Sequence, residues 1–480
     1  MPPDETRRLL LCEVGLLRSY PQNRSAAMQR FERSSFGSFL DELFSGIFTR
    51  PSHRTFLRLS LGLVFAFTRH TVASYLWRAG AATLKHFTRF YVFLGAPCYD
   101  RLDDLFARVI IEAARYVPLQ QAIRLRFDET TSKKSGRKIE GCSSYRNGAG
   151  TARQEWRTLF GLSFVIGEMR IRLPHFEGGF VSVPIGLRLY LKPDEAQTLG
   201  QPYRSRSELA REMLEQICQL VGVDRTMLSV QDGGYSTRQF LRNLPENAHV
   251  VGRLPVDSPL YGVPAKKAPG QPGPAAKKGP RLGTVKELAQ AASPEHWQAH
   301  PTEAQTQVLV LEGIWHSVLP GVLLRVVIVR RARATRQKRA LEAFFTTWQR
   351  LDLQQILCQY EGRWSVEILI REAREHYGLG QDRCRRYRRI VGVNGFRLLV
   401  GACQVLWFAR EVEQYGPVAL TPYQPWYEGK QVPSLHDIAW AVRERLFQEG
   451  ITPKVGIWEA MGIIHHLRSE TQTDRLPLAA

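Results

Sequence analysis

The chain has 480 residues, 44% of them hydrophobic and 23% charged, a balance that excludes a disordered polypeptide and gives room for two to four domains. Sixty-six Lys and Arg against forty-five Asp and Glu leave a formal charge of +21, which calls for a polyanionic partner, either nucleic acid or a membrane surface. The long apolar stretch 390–408 is interrupted by Asn394, Arg397 and Gln404, so no membrane span is expected and nucleic acid is the favoured partner.

Residues 1–118 read as helical throughout. Residues 1–20 lack the long apolar segment of a secretory signal, so a cytoplasmic protein is expected. Thr71 is a candidate N-cap for a helix closed by Gly80, and residues 84–94 make a second helix carrying Lys85, His86 and Arg89. This helix-turn-helix-sized pair either binds DNA ends, with Arg78 and Lys85 in contact, or is a small bundle that packs on the core.

Strands begin near residue 122. Ile123, Leu125 and Phe127 alternate with Arg124, Arg126 and Asp128, the period of a half-buried strand that ends in an acid before the turn at 131–136. Residues 162–166 and 181–190 are further strand candidates, and 205–221 is a helix. A short apolar strand at 226–232 ends in Asp232 and is stopped by Gly233 and Gly234, while Ser236 and Gln239 have the spacing of a capping box. Residues 250–254 form another strand. Between 255 and 283 Pro264, Pro269, Pro272, Pro274 and Pro280 among Lys266, Lys267, Lys277 and Lys278 mark an extended basic loop. Strands at 308–310 and 322–329 follow, with Trp297 and Trp315 read either as packing aromatics or as platforms for an unpaired base.

An α-helix advances about 100° per residue, so Tyr360, Arg363, Glu367 and Arg374 lie on one stripe of a helix whose separate apolar stripe is Val366, Leu369, Ile370, Ala373 and Tyr377. Basic runs flank it, Arg330, Arg331 and Arg333 with Arg336, Lys338 and Arg339 before, and five arginines over 383–389 after. They read as phosphate contacts, with Arg330, Arg331, Arg385 and Arg386 the chosen residues together with Lys138. Residues 390–413 read as a buried helix, and His465–His466 as a surface pair. The seven cysteines, at 12, 98, 142, 218, 358, 384 and 403, have no zinc or disulfide spacing.

Taken singly, Asp128 could pair with Arg124 or Arg126, Asp232 could be a turn residue, and Glu367 could pair with Arg363 or Arg371 on its own helix. Taken together, three carboxylates without His or Cys favour a hard cation, Mg²⁺ or Mn²⁺. A pair of such ions about 4 Å apart suits phosphodiester displacement.

These residues resemble the DDE transposases of bacterial insertion sequences that carry a Y-REK signature. Tyr360, Arg363 and Glu367 match it in spacing and identity, and Arg374 stands where the signature has Lys. Asp128-Glu-Thr130 followed by Lys-Ile-Glu-Gly141, and Asp232-Gly-Gly-Tyr235 with Gly252-Arg-Leu254, are similar to the motifs around the first two acids. The resemblance covers about residues 120–390. It implies a mixed α+β chain with a ribonuclease H-like core, in which Asp128, Asp232 and Glu367 hold two Mg²⁺ or Mn²⁺ ions and Tyr360, Arg363 and Arg374 contact DNA. It further implies terminal-repeat and target DNA as substrates, a homodimer on paired ends, and action at the nucleoid. The expected organisation is a helical DNA-binding domain 1–118, the first part of the core 119–255, a β-containing insertion 256–320, the rest of the core 321–390 and a helical C-terminal region 391–480. The alternatives are a catalytically silent DNA-binding derivative of a transposase and a ribonuclease H-like nuclease.

Overall fold

The computed structural model describes residues 24–67, 70–146, 158–265, 276–333, 339–416 and 432–453. The chain separates into two compact units, one formed by residues up to Phe93 together with those from Val442 onward, the other by Leu94–Ala441. Lys266, Lys267, Arg336, Lys338 and His465–His466, singled out in the sequence, lie outside the described residues, as does Cys12.

The first unit contains α1 (Arg24–Arg33), α2 (Ser35–Leu43), α3 (Arg50–Val64), α4 (Val72–Arg78) and most of α5 (Thr88–Gly95). Local chemistry sets the starts: Ser34 caps α2, Pro51 opens α3, and the Thr71 side chain accepts from Ser74 N at 3.2 Å to cap α4. Phe31, Phe36, Phe44, Phe56 and Phe65 fill the interior, each contributing roughly 1.5–3 kcal/mol of burial. The end of the C-terminal helix Leu435–Gln448 joins them, with Phe447 on Phe65 and Arg443 Nε donating to Val64 O at 2.6 Å. Arg78, an expected DNA contact, is buried instead, with its guanidinium 5.5 Å from the Phe67 ring. Lys85 is exposed.

The second unit is built on a twelve-stranded, mostly antiparallel sheet. After α6 (Pro97–Asp100) and α7 (Leu102–Ala114) come β1 (Ile123–Lys133), β2 (Ser143–Arg146), β3 (Thr158–Arg172) and β4 (Phe180–Tyr190). β3 pairs antiparallel with β1, β2 and β4. Then follow α8 (Pro193–Thr198), α9 (Arg206–Val221), β5 (Met227–Gln231), α10 (Arg238–Leu241) and β6 (Ala248–Leu254). Both parallel pairings sit here, β5 beside β1 and β6 beside β5. Ser205 and Glu208 form a reciprocal capping box on α9. The box expected at Ser236 is displaced by one residue: Thr237 caps α10 and accepts from Phe240 N, because Gly233–Tyr235 first make a single tight turn.

β7 (Pro259–Tyr261), β8 (Arg281–Thr284), α11 (Val285–Ala291), β9 (Gln298–Ala299), β10 (Thr306–Ile314), β11 (Leu323–Arg331) and β12 (Leu341–Thr346) extend the same sheet, which runs β2-β3-β1-β5-β6-β12-β11-β10-β7-β8. Trp297 and Trp315 are buried in this region, Trp297 under the Arg330 guanidinium at 3.8 Å and Trp315 edge-on to Phe345, so both are packing aromatics.

Three helices complete the unit: α12 (Leu353–Glu361), α13 (Trp364–His376) and α14 (Tyr387–Tyr415). α12 starts with a capping box from Asp352 and Gln355 and packs Ile356 and Leu357 on Leu228, Val230, Val251 and Phe344. α14 is long and apolar enough to cross a bilayer, yet its apolar stretch is fully buried inside the protein and only its ends are exposed, as for a core helix of a large protein. Its polar residues are satisfied locally: Asn394 Nδ2 donates to Asp382 Oδ2 at 2.8 Å, and Arg397 donates to Gly378 O at 2.7 Å. Gly392 admits the Leu94 carbonyl, which a Cβ would meet at 1.8 Å.

Candidate active site

The β1–β5 register runs from Ile123↔Met227 to Arg126↔Val230. Asp232 continues β5 in an extended conformation, φ −71° and ψ 165°, so the same register sets Asp128 beside Asp232. Neighbouring strands lie about 4.8 Å apart and side chains alternate with period two, so both carboxylates leave the same face of the sheet. Two like charges so placed repel one another, which adds to the tendency of buried Asp128 to keep its proton.

The third carboxylate comes from a helix across that face. Tyr360, Arg363, Glu367 and Arg374 do not share one continuous helix: Tyr360 ends α12, and Arg363 caps the start of α13, which carries the other two. Gly362 stands at this junction, where a Cβ would come to 3.0 Å from Arg126 Nη2, so the chain breaks where a buried guanidinium approaches. Arg363 then reaches both acids, Nη2 at 2.6 Å from Glu367 Oε1 and Nη1 at 3.8 Å from Asp128 Oδ2. Tyr360 lays its ring on Phe344, centroids 4.3 Å apart, and burial with Asp232 close by pushes its hydroxyl up to about 12.

Burial raises Asp128 to about 7; the Glu129 N–H that it accepts and Arg363 act against this, and Glu367 and Asp232 add to it. The sign of the linkage follows. Between the unfolded value, 3.8, and about 7 the folded protein holds a proton that the unfolded chain has released, so stability falls as pH rises through that window. Guanidinium titrations of metal-free protein at pH 5 and pH 7.5 should show this decline, and Asp128→Asn should flatten it. An equal slope in the variant would assign the effect elsewhere.

The expected three-carboxylate ligand set is not closed: among the described residues no three Asp, Glu, His or Cys side chains gather tightly enough to enclose a metal ion. The physical reason is the Arg363 guanidinium, which ties up Glu367 and screens it from Asp128. The donor chemistry still suits a hard cation, since the three acids offer carboxylate oxygens and no His or Cys, with the Arg363 guanidinium now standing between two of them.

Two expected DNA contacts, Arg374 and Arg331, turn inward. Arg374 Nη2 donates to Thr130 Oγ1 and, at 2.8 Å, to Thr131 O, fastening α13 to the strand that bears Asp128. Arg331 pairs with Glu303 at 3.0 Å and Glu342 at 2.5 Å. Arg386 stays exposed and pairs with Glu140 at 2.7 Å, and Lys134, four residues before Lys138, is buried against Asp382. Lys138 and Arg385 are exposed, and the Glu140 N–H donates to Arg385 O at 2.9 Å, which clips their two segments together. Arg330 is exposed but holds Gln307 and Trp297.

Two arginines beside the site were given no role from the sequence, although Arg253 stands in the Gly252-Arg-Leu254 motif. Arg206 pairs with Glu129 at 3.1 Å and stacks on Tyr190 at 4.4 Å, and Arg253, paired with Glu342, lies against Gly233. Their partners are dozens of residues distant, and no local spacing links them.

A pair of in-register strand carboxylates facing a helical glutamate across a shared arginine defines an acid-lined site of the kind that phosphodiester-cleaving enzymes use. The chain belongs to the DDE superfamily endonuclease family, whose sequence profile matches residues 42–308, more than half of its length. Asp128 and Asp232 fall inside the matched span and Glu367 beyond it. A search of curated proteins finds no match. Membership carries a transposase or nuclease type of function and, as DDE endonucleases generally have, a use for divalent metal ions.

Proposed function

We propose that the protein is a DNA transposase of the Y-REK type, which cuts the ends of an insertion sequence and joins the 3′-hydroxyls to target DNA. The observation that carries this reading is the parallel β1–β5 register, which extended by two residues sets Asp128 beside Asp232, together with Arg363, which contacts both Asp128 and Glu367. The strand order supports a ribonuclease H-like core: β4-β3-β1 antiparallel, then β5 and β6 parallel to β1, with the acids on β1, after β5 and on the later helix. In this reading the strands from β7 to β10 belong to the insertion 256–320 between the second and third acid, and β11 and β12 to the second part of the core.

Asp128, Asp232 and Glu367 are the residues that would hold Mg²⁺ or Mn²⁺. Bound there, a pair of ions would activate a water or a 3′-hydroxyl and stabilise the leaving oxygen of an in-line displacement. Arg363 has the reach to exchange Glu367 for a phosphate oxygen, offering the paired N–H donors that suit phosphate. Tyr360, braced on Phe344, presents its hydroxyl beside Asp232 and can donate to the same backbone. Terminal-repeat DNA, target DNA and a second copy of the chain are the partners of this reading.

Lys138 and Arg385 are the phosphate contacts in this scheme. Lys138→Gln and Arg385→Gln should each reduce the slope of log affinity against log salt by about 1. Arg331→Gln should leave that slope unchanged and lower stability, because it opens the pairs to Glu303 and Glu342. Gel shifts from 50 to 200 mM salt distinguish these outcomes. Cleavage of hairpin, hybrid and terminal-repeat substrates tests the function itself: cutting confined to terminal-repeat ends is expected. Preference for an RNA–DNA hybrid would favour a ribonuclease H-like nuclease, and binding without cutting a silent derivative.

A further inference from the structure

Arg126 precedes Asp128 by two residues, Ser365 precedes Glu367 by two, and both converge on one buried acid. Glu168 of β3 is 0% exposed and Arg126 is 1% exposed. The two are direct cross-strand partners, with Arg126 Nη1 3.9 Å from Glu168 Oε2. Ser365 Oγ donates to that same Oε2 at 2.9 Å, and Ser182 Oγ of β4 donates to Oε1. Arg126 Nε and Nη1 have no hydrogen-bond partner, which leaves Glu168 as the charge that compensates it.

An ion pair taken out of water is a poor source of stability, since apolar side chains of similar volume hold such a site as well or better. The best-attested use of such groups is to fix the register of one element against another. Here the elements are β1, which carries Asp128, and α13, which carries Glu367. Ser365 and Glu367 are separated by about 3 Å of helical rise, and Arg126 and Asp128 by about 6.6 Å along one face of a strand. A displacement of Glu168 is therefore passed to both acids with little slack.

We propose that Glu168 is a positioning residue that acts through Ser365 and Arg126 to set Glu367 against Asp128, and with it the geometry in which the two carboxylates take a divalent ion. The inference rests on the carboxylate assignment made under the proposed function. It gives Ser365 a role that its place on the helix does not, because its hydroxyl faces Glu168 and not the substrate side.

The test compares Ser365→Ala, Ser365→Thr and Ser182→Ala in the full-length chain. Mn²⁺ binding without DNA is read by calorimetry, single-turnover cleavage of terminal-repeat DNA by gel, and folding by thermal melts. Ser365→Ala is expected to weaken Mn²⁺ binding and slow cleavage by about 10- to 100-fold, the usual effect of losing an orienting partner of a metal ligand, with DNA affinity unchanged. Ser365→Thr keeps the hydroxyl and should restore both. Ser182→Ala loosens the same carboxylate without touching α13, so it should lower the melting temperature as much and the Mn²⁺ affinity less. Equal losses in the two serine variants, or wild-type Mn²⁺ binding in Ser365→Ala, would overturn the positioning role. Glu367→Gln separates this from failure of the underlying reading: if it too binds Mn²⁺ and cuts normally, the carboxylate assignment fails, whereas if it is impaired while Ser365→Ala is not, only the positioning role does.

Discussion

Asp128→Asn, Asp232→Asn and Glu367→Gln proteins are each expected to lose DNA-end cleavage by about 10³-fold or more while retaining DNA binding. A divalent ion stabilises transition-state charge by several kcal/mol, and each ~1.4 kcal/mol is a factor of ten in rate. Asn and Gln keep the shape of the acids and remove the charge that holds such an ion, so folding and end binding should persist. The three losses should be far from additive, because any one substitution disables the same site. Single-turnover cleavage in Mg²⁺ beside a gel shift in Ca²⁺ provides the measurement. Retained cutting in one variant would remove that residue from the site, and retained cutting in all three would end the phosphoryl-transfer reading.

The largest effect on stability is expected from Asp382→Ala. Its carboxylate, with a side chain 1% exposed, accepts from Lys134 at 3.3 Å, from Asn394 at 2.8 Å and from the Cys384 N–H at 3.1 Å. Lys134, 8% exposed, also donates to Gly380 O at 2.9 Å and Asp382 O at 2.6 Å, so it fastens the end of β1 to the loop between α13 and α14. Removing the acid leaves a buried ammonium without its counter-charge, a change that typically costs about 3–5 kcal/mol. Denaturant titration should show a lower midpoint with an unchanged m-value. Asp382→Asn, which keeps the hydrogen-bond acceptor, should cost less. A midpoint within error of wild type would mean that water reaches Lys134 and that the tether between β1 and α14 is weak.

Periodicity made much of the second unit legible. The alternation at 123–128 became β1, the apolar run at 390–413 became α14, and the helix read over 205–221 became α9, with Ser205 as its N-cap and its end at Val221. Each of these signals is local, set by side-chain alternation or by a cap within one turn. Other elements ran longer than their apolar cores suggested: β1 continues to Lys133 and β3 spans Thr158–Arg172, because cross-strand pairing carries polar residues that have no apolar signature of their own.

The basic residues were the least legible part of the candidate site. Lys138, Arg331, Arg374 and Arg386 look alike in a charge count, yet Lys138 and Arg386 are exposed, Arg386 in a surface pair with Glu140, while Arg331 and Arg374 have their donors used inside the protein. A guanidinium finds its acceptor in three dimensions, often more than 200 residues away, as Arg374 does on Thr131. Spacing along the chain holds no record of that partner.

By itself the sequence determined the acids at 128, 232 and 367, the strands that carry two of them, with the end of the second at Asp232, and the net positive charge that suits a polyanion. Only the tertiary structure decided that β1 and β5 are parallel neighbours in the register that sets Asp128 beside Asp232, that Gly362 divides the helix before Glu367, and that Arg363 stands between the acids. Side-chain type and local period are written residue by residue, whereas register and ion pairing arise from contacts between segments that meet only when the chain has folded.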